Sequence, residues 1–104
     1  MDFGLRQADL EEIDHILKQF PAIEEAFLFG SRAKGTFKSG SDVDIAIKGE
    51  SVDHDVVAKL LFQLNEESAL PYFFDVIHYE EISEKALLEH VDRVGRPIYI
   101  RERH

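Results

Sequence analysis

Phe27 to Lys48 reads FLFGSRAKGTFKSGSDVDIAIK, and its two halves decide how the chain folds. In the first half, Ala26-Phe27-Leu28-Phe29 is a short apolar run that predicts a buried strand ending at Gly30. Ser31-Arg32-Ala33-Lys34 then has room for one helical turn before Gly35 closes it. Gly30 lacks a Cβ, so a ligand can approach the backbone and the chain can take torsions that other residues avoid. Ser31 offers a hydroxyl and an amide beside a helix N-terminus, where free donors favour phosphate, and Arg32 and Lys34 add positive charge. Alone, Gly-Ser after a strand equally describes an ordinary turn. In the second half, Val43, Ile45 and Ile47 alternate with Asp44, Ala46 and Lys48, the period of a strand. Asp42 and Asp44 flank Val43 and face the same way. Two adjacent carboxylates repel unless a cation or hydrogen-bond donors compensate. Hard oxygens on one face suit Mg²⁺, which keeps several waters and takes its remaining ligands from substrate phosphates.

Outward from this stretch, helices and strands alternate. Asp9 is the expected N-cap of a first helix, with Glu12 closing a capping-box pair and Leu10, Ile13, Leu17 and Phe20 on one stripe. Asp53 is the expected cap of a helix carrying Val56, Val57, Leu60, Leu61 and Leu64. Phe73 to Tyr79 reads as a third strand, Ser83 as the cap of a last helix with Leu87, Leu88, Val91 and Val94, and Pro97 to Ile100 as a short final strand. Gly95 and Pro97 end that last helix. The expected fold is α/β (α+β): a small mixed sheet of three to four strands covered by helices in two layers.

A chain of 104 residues accommodates one domain, so residues 1–104 are read as a single unit. The absence of cysteine excludes disulfides, thiol nucleophiles and Cys-ligated metals. No apolar run approaches the roughly 18 residues of a membrane span, and the N-terminal segment lacks the pattern of a secretion signal. The expectation is a soluble cytoplasmic domain with no membrane partner. A net charge of −9 disfavours direct binding of nucleic acid, which needs a basic surface. Ser31 to Lys48 nevertheless carries four cations against two anions, which is where a small polyanion would bind if the segment is more than a solvated loop.

A third acid, Asp75, stands between Phe74 and Val76 in the expected third strand, where an edge position or a salt bridge is the structural alternative to a functional role. Gly30-Ser31, Asp42-Val43-Asp44 and Asp75, in that order, resemble the signature of the DNA polymerase beta-like nucleotidyltransferase superfamily: strand, Gly-Ser, short helix, Asp-x-Asp and a later acid. GSRAKG followed by SDVDIAI is similar to its small stand-alone branch, the minimal nucleotidyltransferases (MNT proteins), over about residues 8 to 100. No key position departs from the pattern.

The resemblance implies the nucleotidyltransferase fold and Mg²⁺-dependent transfer of a nucleoside monophosphate to an acceptor hydroxyl, with pyrophosphate leaving in line. Asp42 and Asp44 would hold two Mg²⁺ ions, and Asp75 would complete the metal site and help deprotonate the acceptor. Gly30 and Ser31 would hold the β- and γ-phosphates of ATP or another NTP, assisted by Arg32 or Lys34. Stand-alone members of this branch pair with small helical HEPN proteins as antitoxin and toxin. The resemblance therefore implies a hetero-oligomer with a HEPN-type partner, with AMP moved from ATP to a partner tyrosine. The acidic charge suits docking onto a more basic protein. The alternative is a non-catalytic nucleotide-binding antitoxin or interaction module that neutralises its partner by docking.

Other chemistries are poorly supported. His15, His54, His78, His90 and His104 are scattered without a His-x-x-x-His pair, and His78 faces away from Asp75. GSRAKG is neither a nucleophile elbow nor a P-loop. Tyr72, Phe73 and Phe74 read as core or strand residues, with a partner surface as the alternative.

Overall fold

The computed structural model describes residues 4–36, 38 and 41–101. Residues 1–3 of the N-terminal segment, Phe37, Ser39 and Gly40 of the quoted stretch, and His104 lie outside the described residues. The elements follow the expected order: α1 (Gln7–Lys18), β1 (Glu25–Phe29), α2 (Gly30–Lys34), β2 (Val43–Lys48), α3 (His54–Phe62), β3 (Phe74–His78), α4 (Lys85–Val94) and β4 (Arg96–Ile100). A π-helical turn, Gln63–Glu67, extends α3, and a 3₁₀ turn, Tyr79–Glu81, follows β3.

The strands lie in the order β3-β2-β1-β4. β1 runs antiparallel to β2 and β4, while β2 and β3 are parallel and joined by the α3 crossover that parallel pairing requires. Alternation along β2 turns Val43, Ile45 and Ile47 into the larger core, against Ile13 and Leu17 of α1, Leu60 of α3 and Phe74 of β3. Ala46 faces the opposite way and packs with Phe29 and with Val91 of α4. The sheet is therefore covered on both faces, where two layers were expected, because the apolar stripe of α4 seats on the face that α1 and α3 leave open.

The helix ends follow their local chemistry, with two differences from expectation. Asp53 caps α3, its Oδ1 accepting the Val56 N–H at 2.9 Å, and Gly35 closes α2 at a left-handed φ of 80°. Asp9 is not the N-cap. α1 starts two residues before it, with Arg6 at the N-cap, and Asp9 reaches back to accept the Arg6 N–H at 3.1 Å. Ser83 does not cap α4 either: the 3₁₀ turn and Ile82 deliver the chain one residue later, with Glu84 at the cap position. Among the described residues no helix is long and apolar enough to cross a membrane.

Candidate active site

β1 and β2 pair so that Phe29 lies opposite Asp44, and β2 and β3 pair so that Asp44 lies opposite Asp75. The turn from β1 into α2 thus falls beside one carboxylate, and the parallel ladder sets a second next to it. Gly30, first in α2, has φ +76°, a conformation that other residues adopt at a cost. A Cβ there would run into Asp44 Oδ2, with Asp44 Cγ at 3.2 Å. Position 30 needs glycine for its torsion and for the carboxylate packed against it.

Asp44 is half-buried, whereas Asp42 and Asp75 are exposed. Burial pushes the Asp44 carboxyl above the usual carboxylate range, and the charges of Asp75 and then Asp42 push it further in the same direction. The three sequence-predicted acids therefore share one electrostatic neighbourhood, and a cation would relieve the repulsion centred on Asp44. Among the described residues, no three His, Cys, Asp or Glu side chains converge into a ready-made cation cage.

The remaining sequence-predicted residues divide. Ser31 is half-buried in the first turn of α2, and Lys34 is exposed at its end. Arg32, expected beside phosphate, is only 2% exposed. Its Nε and Nη2 donate to the Ser41 carbonyl at 3.2 and 2.8 Å, and its guanidinium lies over the Tyr72 ring, 5.1 Å from the centroid. Tyr72 in turn donates its hydroxyl to Asp9 Oδ2 at 2.6 Å, and Asp9 also accepts from the Arg6 guanidinium at 2.8 Å. A line of polar contacts thus runs from the start of α1 to the residue that precedes Asp42.

Two positioning residues escaped the sequence reading. His90 Nε2 accepts the Gly30 N–H at 3.2 Å, and its ring meets Phe29 edge-on at 6.1 Å. Gly30 therefore offers a ligand its missing side chain rather than its amide. His90 shares the helical stripe of Leu87, Val91 and Val94, the signal that marks it as inward-facing. Asn65, on the π-helical turn, holds β3 from the other side: it donates to the Phe74 carbonyl at 3.0 Å and accepts the Phe74 N–H at 2.8 Å. The wider turn brings a side-chain amide to the strand that carries Asp75.

Comparison with known proteins places the fold and the family. No curated protein matches the sequence closely enough to count as a relative. Among solved structures, a toxin–antitoxin complex with AMP-PNP contains a chain 25% identical, with a TM-score of 0.74, over 90% of this chain and 75% of that one. The MNT antitoxin bound to a tri-AMPylated HEPN toxin of Shewanella oneidensis is 22% identical, with a TM-score of 0.70, over 93% and 74%. A toxin–antitoxin complex named MntA-HepT gives 22% identity and a TM-score of 0.69, over 92% and 74%. A family model described as "Polymerase beta, Nucleotidyltransferase" matches residues 11–104. That match takes in every strand and all but the first turn of α1, and the chain therefore belongs to the polymerase beta nucleotidyltransferase family.

Proposed function

We propose that this nucleotidyltransferase moves AMP from ATP to a tyrosine hydroxyl of a HEPN-type partner in a Mg²⁺-dependent reaction, acts as that partner's antitoxin, and works in the cytoplasm as a single domain. The observation that carries the reading is the meeting of Gly30, Asp44 and Asp75 at the ends of three adjacent strands. Phosphate and metal chemistry need this juxtaposition, and an ordinary turn does not. The nucleotide and partner are supported by the AMP-PNP complex and the AMPylated HEPN toxin among the similar structures.

Asp42 and Asp44 are the residues that would hold Mg²⁺, with Asp75 completing the set, since a few carboxylates plus substrate phosphates and water suffice for this ion. Bound there, it supplies charge stabilisation to the entering and leaving oxygens of an in-line displacement. The Ser31 hydroxyl holds the β- and γ-phosphates, and the bare Cα of Gly30 lets them approach the strand end. Lys34, exposed beside them, adds charge; Arg32 keeps Ser41, and so the start of β2, in place. Asp75 takes the proton of the acceptor hydroxyl as its oxygen bonds to the α-phosphorus and the bond to pyrophosphate breaks. The chain's contribution is positional and electrostatic, as phosphoryl chemistry requires.

Mass spectrometry of a co-expressed HEPN-type partner tests this. An AMP-mass adduct with the wild type that disappears with Asp44→Asn is the expected result. An adduct present equally with both, or with neither, overturns it, and neutralisation without any adduct leaves docking as the mode of action.

A further inference from the structure

Phe73 is 63% exposed, although Phe74 beside it is fully buried. Its backbone is nevertheless fastened. The Phe73 carbonyl accepts the Val43 N–H at 2.9 Å, and both backbone groups of Phe74 are bonded to the Asn65 amide. An exposed aromatic ring on a fastened backbone suits a contact residue, because only two side-chain torsions remain to be ordered on binding.

Phe73 immediately precedes β3, and its carbonyl already takes part in the β2–β3 ladder. Continued back by one residue, the alternation that buries Phe74 and Val76 puts Phe73 on the face of Asp75, about 7 Å along the chain. The parallel register Val43↔Phe74 and Asp44↔Asp75, continued by one residue, brings Phe73 beside Asp42. An in-line displacement needs the entering and leaving oxygens on opposite sides of the phosphorus. With pyrophosphate leaving over Gly30 and Ser31 at the end of β1, and the α-phosphorus over Asp44 on β2, the acceptor enters over β3. That is the edge strand; Asp75 stands on it and Phe73 immediately precedes it.

We infer that Phe73 is the acceptor-side contact, stacking on the ring of a tyrosine presented by a partner protein and so favouring a phenol over an aliphatic hydroxyl. The inference rests on the transfer reading above for the direction of attack. Stacking seats the ring with its hydroxyl toward Asp75; the phenol oxygen bonds to the α-phosphorus, pyrophosphate leaves with the electrons of the broken bond, and the proton passes to the Asp75 carboxylate.

The test uses the whole chain and a probe that needs no turnover, so that it reads Phe73 whether or not transfer occurs. N-acetyl-tyrosinamide is titrated by NMR in the presence of Mg²⁺ and AMP-PNP, with N-acetyl-serinamide as comparison. The tyrosine probe is expected to shift the amides of Phe73 and Asp75 and to bind about tenfold more weakly to Phe73→Ala, a loss equivalent to one stacked ring. Phe73→Trp retains binding, the serine probe shifts neither amide, and AMP-PNP affinity stays within about twofold in both variants. Tyrosine-probe affinity unchanged in Phe73→Ala overturns the inference. So does a tenfold loss of AMP-PNP affinity, which assigns the ring to the nucleobase. Tyrosine binding at Phe73 without any AMP adduct on a partner counts against the transfer reading alone.

Discussion

Gly30, at the start of α2, and Asp44, on β2, lie so close that a side chain at residue 30 and the Asp44 carboxylate exclude one another. The Gly30 turn and Asp44 are thus built as one piece, and displacing either moves both. Gly30→Ala adds a left-handed alanine to a steric clash and is expected to lose about 1–3 kcal/mol of stability in urea denaturation. Transfer falls about a hundredfold, the scale of a misplacement near 1 Å. A stable Gly30→Ala protein with full transfer would separate the turn from the acid.

Asp9 sets a pH dependence far from the acids. The Arg6 guanidinium holds its carboxyl down at about 2 from an ordinary 3.8; burial opposes this, and the Tyr72 hydroxyl adds to it. Since the folded value is the lower, the unfolded chain binds the extra proton between the two. This contribution is complete above about pH 4 and is lost as pH falls toward 2. Asp9→Asn flattens that limb of the stability–pH curve and loses about 1–3 kcal/mol near pH 7. Tyr72→Phe loses about 1 kcal/mol and leaves the limb in place. Urea titrations at a series of pH values check both.

Arg32 and Lys34 are two cations of one helical turn in different surroundings, the first buried and the second exposed. Arg32→Met keeps much of the volume but strips two donors from the Ser41 carbonyl, and is expected to cost about 1.5–3 kcal/mol together with transfer. Lys34→Gln, at an exposed position, leaves stability within about 0.5 kcal/mol and raises the KM for ATP several-fold. Melting curves and initial rates on the same two proteins distinguish the roles.

His90 acts through Gly30, so its replacements should divide by shape. Gln can place an acceptor where Nε2 stands, and His90→Gln keeps near-normal kinetics. His90→Leu leaves the Gly30 N–H without that partner and raises the KM for ATP about tenfold, with kcat little changed. Equal losses in both variants would mean that His90 only fills space.

The order of elements was legible because the apolar periods of 2 and 3.6 are local properties of the chain. Gly35 and Asp53 were readable for the same reason, since each acts within its own turn. Asp9 misled because an acid can serve a helix start from the cap or, as here, from the third helical position, where it accepts from Arg6 and from Tyr72, 63 residues away. Arg32 misled in the opposite sense: a cation next to Gly-Ser suggests a ligand contact, and only burial shows that its guanidinium holds Ser41. The facing of Asp44 and Asp75 depends on strand order and parallel register, which no short motif encodes. The stripe of α4 could mark His90 as inward-facing, but its bond to Gly30 lay beyond reach because it spans 60 residues.

The placement of β3 and β4 on opposite edges has a practical side. Three inter-strand steps separate them, roughly 14 Å across the sheet. Ile100 on β4 is 64% exposed, and the chain contains no cysteine. Ile100→Cys therefore creates a unique attachment point for a fluorophore or an immobilising tether, on the side of the sheet away from Asp75. Association at the acid-bearing edge can then be followed at the single-molecule level without the reporter standing in its way.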